Sequence, residues 1–235
     1  MCPKRIKIPD KCKKNFDSNV KITRGGIEKC FDFAKEMTEG EGEHNENSFG
    51  SSDFPRDKQT IFRDALQGKI AEIGFYNYFY NKLNIKETPN FEAWGRGEWE
   101  DCDFELEDGR KISVKSTKSY GNLLMLEKDR YDEKGYYLET ADGSEPIKYD
   151  YFFLIRVKNV ESYKKIKKKY INGDEYTNLK KVKCEITGYI TYEDFLKIIK
   201  NDHLLSAGTK LGSTTLKVDN YYVCADHLRT DFIGI

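Results

Sequence analysis

The alternation of apolar and polar positions is clearest over residues 100–118, which read EDCDFELEDGRKISVKSTK. Two short alternating runs, 103–106 and 111–117, flank the pair Asp108-Gly109. An Asp-Gly pair between alternating runs is a strong hairpin signal, because glycine tolerates the positive φ that tight hairpin turns require. The pattern therefore predicts a β-hairpin at this point of the chain.

Strand side chains alternate between the two faces of a sheet. The hairpin therefore places Asp103 near the end of one strand, beside Ser113 and Lys115 on the next strand. The side chains of Ser113 and Lys115 share a face because they are two positions apart.

Helical periodicity predicts a short amphipathic helix over residues 26–37 and a long helix from Pro55 to about Leu83. Gly68, inside the long helix, is expected to mark a bend or a close approach to a neighbour. Residues 38–54 are rich in Gly, Ser, Glu and Asn, and this composition predicts a mobile loop.

Four apolar segments predict further strands. The near-continuous apolar run 149–157 indicates a central strand, and 123–126, 184–190 and 217–224 indicate others. Thr191 directly follows the segment 184–190 and is placed to cap the helix that comes next. The expected fold is α/β or α+β, with a central mixed β-sheet flanked by helices in a single domain over residues 1–235.

Composition is consistent with a packed core, because 38% of the 235 residues are hydrophobic and 14% are aromatic. There is no apolar run near the roughly 18 residues of a membrane span and no secretory signal, so we expect a cytoplasmic protein without a membrane segment. The six cysteines form no C-x-x-C pair and there are only three histidines. This spacing predicts free thiols in a reducing compartment and argues against structural zinc.

Charge is balanced overall but uneven along the chain. Residues 1–25 carry eight basic and two acidic side chains and predict a basic N-terminal arm, and five lysines lie within 164–169. Acidic residues gather at 36–53 and 98–108. This asymmetry suits a protein whose basic surfaces follow phosphates while an acidic pocket holds a metal ion. For 164–169, a solvated lysine-rich face is an equally good interpretation.

A carboxylate that faces a lysine on a neighbouring strand is the skeleton of a magnesium-dependent phosphodiesterase. Mg²⁺ neutralises a phosphate and acidifies bound water, and it prefers oxygen ligands. Asp103 is the first expected ligand, and Lys115 would orient the attacking water and offset developing charge. The backbone carbonyl of Val114 is a further candidate ligand, as is Glu72, a charged residue within an otherwise apolar helical pattern.

Glu72, Asp103 and the run Ser113-Val114-Lys115-Ser116-Thr117 together resemble the PD-(D/E)xK nuclease superfamily, especially the type II restriction endonucleases. The resemblance covers roughly residues 65–130. It maps the family's acidic helix residue to Glu72, its strand aspartate to Asp103 and its lysine to Lys115. It implies a restriction-endonuclease-like core and Mg²⁺ as cofactor.

The chain departs from the family pattern at two positions. Cys102 stands where the family usually has proline, and Ser113 stands where it usually has Asp or Glu, which removes a metal ligand. Some members that carry Ser-Val-Lys fill this gap with a glutamate about a dozen residues downstream, and Glu127 has that spacing. Glu72 is the other candidate, and it is favoured here because its helix position fits the family pattern independently of the serine. Asp101 is a weaker alternative to Asp103 as the aspartate ligand.

The resemblance implies a sequence-specific, Mg²⁺-dependent endonuclease that acts on double-stranded DNA as a homodimer, since two symmetric sites cut the two strands of a palindrome. Four residues after the lysine are candidate DNA contacts: Ser116, Lys118, Tyr120 and Asn122. One alternative is a nuclease for repair or junction resolution that acts on DNA structure. A second is a non-catalytic DNA-binding module, which Ser113 favours. A third is an ordinary surface hairpin without a metal site.

Overall fold

A computed structural model describes most of the chain. The described residues are 12–39, 57–92, 102–138, 145–158, 160, 182–212, 214–233 and 235. Residues 1–11 of the predicted basic arm, nearly all of the predicted mobile loop 38–54 and the basic run 164–169 lie outside them.

The predicted hairpin is confirmed. Strand β2 (Phe104–Glu105) pairs antiparallel with β3 (Lys111–Lys118). In the turn between them, Gly109 adopts a φ of 86° and its N–H donates to the carbonyl of Leu106 at 2.9 Å. A residue with a Cβ adopts this left-handed conformation at a cost, which explains the glycine.

The hairpin forms one edge of a five-stranded mixed sheet. Its order is β1 (Val20–Lys21), β6 (Lys183–Thr191), β5 (Tyr151–Lys158), β3 and β2. β3 and β5 run parallel, and the other neighbours are antiparallel. The apolar run 149–157 therefore lies at the centre of the sheet, as its composition predicted, because both of its faces are buried.

The remaining strands form a second, antiparallel arrangement. β4 (Leu123–Glu127) pairs with β10 (Asn220–Cys224), which also pairs with β7 (Leu204–Leu205). A two-stranded hairpin consists of β8 (Lys210–Leu211) and β9 (Thr214–Thr215). The strand predicted at 123–126 is present, but it belongs to this second sheet.

Three α-helices lie within the described ranges. α1 (Arg24–Glu39) and α2 (Lys58–Phe79) pack on one face of the five-stranded sheet, and α3 (Tyr192–Lys200) contributes to the core on the other face. The Thr191 hydroxyl accepts the N–H of Asp194 in a capping box, as predicted. None of the described helices is both long and apolar enough to cross a bilayer.

The mixed α+β class is therefore confirmed, and the layers are more specific than predicted. One core holds α1, α2 and the inner face of the sheet. The second core packs the opposite face against β4, β10 and α3. The sheet thus has helices on one side and mainly a smaller sheet on the other.

The close approach in α2 is at Gly74. A Cβ on Gly74 would lie 2.8 Å from the Cys184 Sγ of β6, whereas a Cβ on Gly68 would meet nothing within 4 Å. The expectation that Gly68 marks a close approach to a neighbour is therefore wrong. Helical periodicity shows which face of a helix is buried, but it does not show which turn of the helix touches the sheet.

A buried arginine ties the N-terminal segment to the middle of the sheet. Arg156 of β5 is 0% exposed, and its Nε donates to the Glu185 Oε2 of β6 at 2.6 Å. Its other nitrogens donate to the carbonyl oxygens of Lys14 and Asn15 and to the Asn122 Oδ1. Part of the predicted basic arm is therefore fixed on the folded core.

We expect Arg156→Met to lower the free energy of unfolding by about 3–5 kcal/mol, because it removes the closest counter-ion of the buried Glu185 carboxylate and leaves only the Lys14 ammonium, 4.0 Å from the other carboxylate oxygen. The measurement is urea denaturation at neutral pH. The control is Arg24→Met in the exposed i,i+4 pair with Glu28, which should cost no more than about 0.5 kcal/mol. Equal small losses for both variants would contradict a structural role for the buried pair.

The two glycines of α2 provide a matched pair of variants. Gly68→Ala should raise the free energy of unfolding by roughly 0.5–1 kcal/mol, because alanine favours the helix and no neighbour obstructs its Cβ. Gly74→Ala has the same helix preference but should be destabilising by about 1–3 kcal/mol, since its Cβ overlaps Cys184. Thermal and urea unfolding of both variants measures the difference. Stabilisation by both changes would show that α2 can move off the sheet at little cost.

Candidate functional site

The carboxylate of Asp103 is attached to the backbone of β3. Its Oδ2 accepts the N–H of Val114 at 2.6 Å and lies 3.4 Å from the Ser113 hydroxyl, which donates to it. The register of the hairpin, with Phe104 opposite Ile112, places Asp103 opposite Ser113. The bond to Val114 fixes the carboxylate group and leaves Oδ1 as the oxygen that would meet a ligand.

The alternation of β3 divides its side chains between the two cores. Val114 packs in the core of α1 and α2, and the Ser116 hydroxyl accepts a hydrogen bond from a glutamine of α2. Ser113 and Lys115 therefore point to the opposite face, as the hairpin predicted. Ser113 is 1% exposed, whereas Lys115 is half-buried.

Glu72 lies on the other side of the five-stranded sheet. Its Oε2 accepts a hydrogen bond from Lys69 Nζ at 2.7 Å, and both side chains are largely buried. Burial raises the pKa of the Cys30 thiol on α1, and the nearby Glu72 carboxylate raises it further. The structure thus places Glu72 between the two helices and does not bring it to the face that carries Asp103 and Ser113.

Glu127 lies on the same side of the sheet as Asp103. It ends β4, and its Oε2 accepts a hydrogen bond from Arg130 Nε at 2.5 Å. Burial raises the pKa of the Tyr131 hydroxyl well above its usual value, and Tyr137, Asp103 and Glu127 raise it further. The charges of both carboxylates therefore act on the same buried phenol. Ser113 leaves β3 without an acidic ligand. The geometry favours Glu127 over Glu72 as the residue that replaces it.

Three buried side chains on the Asp103 side of the five-stranded sheet were not singled out from the sequence. Arg130 is 8% exposed and holds Glu127, and the next residue, Tyr131, is buried as well. Burial raises the pKa of Tyr149 above its usual value, and Asp103 is the next cause. The spacing of Glu127 and Arg130 was a usable signal for an ion pair. Nothing in the sequence distinguished these two tyrosines from the other core tyrosines.

The predicted DNA contacts fall into two groups. Ser116 is bonded to α2, and the Asn122 Oδ1 accepts hydrogen bonds from the Lys14 N–H and from Arg156, so both of these side chains have partners within the protein. Lys118 is exposed and Tyr120 is 73% exposed, so these two are available to a partner. Asp101, the weaker candidate ligand, lies outside the described residues.

The donor set suits a hard cation. Asp103 and Glu127 provide carboxylate oxygens, which Mg²⁺ prefers, and only one or two carboxylates are needed because water and phosphate complete its coordination. Lys115 shares its face of β3 with Ser113, the residue opposite Asp103, and adds a positive charge to that face. The arrangement is suited to binding a phosphate group next to a metal ion and an ammonium group.

No protein-family model, no curated protein and no solved structure matches this chain.

Proposed function

We propose that this protein is a type II restriction endonuclease, a Mg²⁺-dependent enzyme that hydrolyses phosphodiester bonds at a specific sequence in double-stranded DNA. The observation that carries the proposal is the Asp103 carboxylate, held by the Val114 N–H on a hairpin that also carries Lys115. Metal-assisted phosphodiester hydrolysis requires oxygen ligands for the ion, and a lysine on the same face can offset the charge that develops on the phosphate.

Each side chain has a distinct task in this mechanism. Asp103 and Glu127 would hold Mg²⁺, together with the carbonyl of Val114, and the ion would supply a polarised phosphate and a more acidic water. Ser113 donates to Asp103 and keeps its carboxylate oriented. Lys115 orients the attacking water and offsets the negative charge that develops on the phosphate oxygens. Arg130 holds Glu127 in place.

The order of elements supports a restriction-endonuclease-like core as the finer assignment. The strand that follows the aspartate forms a hairpin with β3, the chain then crosses over, and β5 returns parallel to β3. The helix that precedes the hairpin packs on the opposite face of the sheet from Asp103. The crossover in this chain contains β4 and a short 3₁₀ turn at Lys128–Arg130.

Double-stranded DNA and a second copy of the chain are the proposed partners. Lys118 and Tyr120 follow the catalytic strand and are exposed, so they are placed to contact the DNA backbone. A homodimer would present two such sites to the two strands of a palindromic sequence. We place the enzyme in the cytoplasm, where its DNA substrate would be found.

Two alternatives differ in substrate or in chemistry. A repair or junction-resolving nuclease would use the same residues but recognise DNA structure. A non-catalytic DNA-binding module is favoured by one observation: Ser113, which stands where the family has an acid, is 1% exposed and provides no negative charge.

One experiment distinguishes the three possibilities. The purified protein is incubated with long DNA of mixed sequence, with and without Mg²⁺, and the products are separated on a gel. Discrete, metal-dependent bands would support a restriction endonuclease, and end-mapping would give its site. A smear would indicate a non-specific or structure-directed nuclease. Binding without cleavage would overturn the catalytic proposal.

Asp103→Asn and Lys115→Ala should each lower the cleavage rate by at least about 10²-fold while DNA binding is largely retained, because both residues act on the reacting phosphate. Single-turnover cleavage and a gel-shift assay measure the two properties. Asp108→Asn is the matched control, since Asp108 lies in the turn of the same hairpin and pairs with Arg110. Full cleavage by either of the first two variants would refute the site.

Glu127→Gln should raise the Mg²⁺ concentration required for half-maximal cleavage and lower the rate more than Glu72→Gln does, because β4, which ends at Glu127, lies on the Asp103 side of the five-stranded sheet and Glu72 lies on the other side. Glu72→Gln should instead lower the unfolding temperature, because it weakens the partly buried pair with Lys69. Magnesium titrations and thermal unfolding of both variants separate the effects. The reverse order in the magnesium titration would assign the ligand to Glu72.

A further inference from the structure

Two thiols and a carboxylate from opposite ends of the chain meet beside the second sheet. The Sγ atoms of Cys12 and Cys224 and a carboxylate oxygen of Asp226 all lie within 4.8 Å of one another. We propose that these three side chains bind a thiophilic divalent ion, namely Zn²⁺, at a site separate from the Asp103 site. This inference does not depend on the proposed nuclease function.

The backbone segments that carry the three ligands are fixed by one residue. The carbonyl oxygen of Asn122 accepts the N–H of Ala225 at 2.9 Å, and its Oδ1 accepts the N–H of Lys14 at 3.0 Å. Ala225 lies between Cys224 and Asp226, and Lys14 is two residues after Cys12. Both segments are therefore held in position before a metal ion binds, which reduces the entropy cost of binding.

The surroundings of the three ligands fit a partly open metal site. Cys12 is 2% exposed and Cys224 is 8% exposed, and both belong to a small core with Leu123, Leu205 and Leu216. Asp226 is exposed and approaches from the solvent side. Three protein ligands leave a fourth tetrahedral position, which water would occupy on the open side.

The ligand chemistry selects Zn²⁺ over Mg²⁺. Soft thiolates favour zinc, whereas magnesium requires oxygen ligands in near-octahedral geometry. With Zn–S bonds of about 2.3 Å, two sulfurs in a tetrahedral site lie about 3.8 Å apart, so atoms already within 4.8 Å of one another need only small side-chain adjustments. The bound ion would clip the N-terminal segment to the end of β10.

The expectation of free thiols was based on the spacing of the cysteines along the sequence. The structure adds their positions relative to one another in space. Many structural zinc sites can be recognised in a sequence by their C-x-x-C pairs. Here Cys224 and Asp226 provide a short local pair, and the third ligand comes from the other end of the chain. Only the folded structure, in which the N-terminal segment lies beside the end of β10, brings the three side chains together.

The test uses the full chain, kept reduced with a phosphine, stripped with a chelator and dialysed against Zn²⁺. We expect one tightly bound zinc per chain by elemental mass spectrometry and a higher unfolding temperature with zinc than without it. Cys12→Ser and Cys224→Ser should each lose the bound zinc. Asp226→Asn changes an exposed residue, so we expect it to fold as the wild type does and to bind zinc more weakly in a chelator competition.

Two control variants test whether zinc binds at this cluster and not elsewhere on the protein. Cys30→Ala removes a buried thiol outside the cluster and should retain zinc, and Asp103→Asn should also retain it, whatever happens to DNA cleavage. Co²⁺ in place of zinc should give thiolate charge-transfer absorption that disappears in Cys12→Ser. Absence of bound zinc in the reduced wild-type chain, or equal zinc content in wild type and the Cys12→Ser/Cys224→Ser double variant, would overturn the proposal.

Discussion

The hydrogen-bond requirement of one buried guanidinium organises this molecule. Arg156 lies in the central strand, and a charge at 0% exposure must be paired and fully hydrogen-bonded to be tolerated there. Its partners come from three places: Glu185 on the next strand, the backbone at Lys14 and Asn15, and the side chain of Asn122. Satisfying this group therefore fixes the N-terminal segment and the connection that follows β3.

That connection determines where the second carboxylate of the candidate site lies. Asn122 directly precedes β4, and β4 ends at Glu127. β4 pairs with β10 in the smaller sheet, and this sheet packs on the face of the five-stranded sheet that carries Asp103, so Glu127 lies on that side of the molecule. The buried ion pair and the candidate site are thus linked by a few residues of chain, so the geometry of the site depends on a network that does not itself contact a ligand.

Local physics made much of the fold predictable. The hairpin at Asp108-Gly109 depends on the conformational freedom of one glycine, and the cap of α3 depends on the hydroxyl of Thr191, so short sequence windows contained the necessary information. The central position of β5 followed from its continuous apolar character. The N-cap of α2, Asp57, is two residues beyond the predicted start at Pro55, a displacement within the usual uncertainty of helix ends.

The sequence by itself determined the hairpin, and with it the meeting of Asp103 with Ser113 on the strand that carries Lys115, because register and alternation are properties of neighbouring residues. The tertiary structure alone decided which glutamate lies on the face of Asp103. A glutamate within an apolar helical pattern can face either side of a sheet, and helix packing placed Glu72 between α1 and α2. Pairing of β4 with a distant strand placed Glu127 on the other side, and such long-range pairing leaves no mark in a short stretch of sequence.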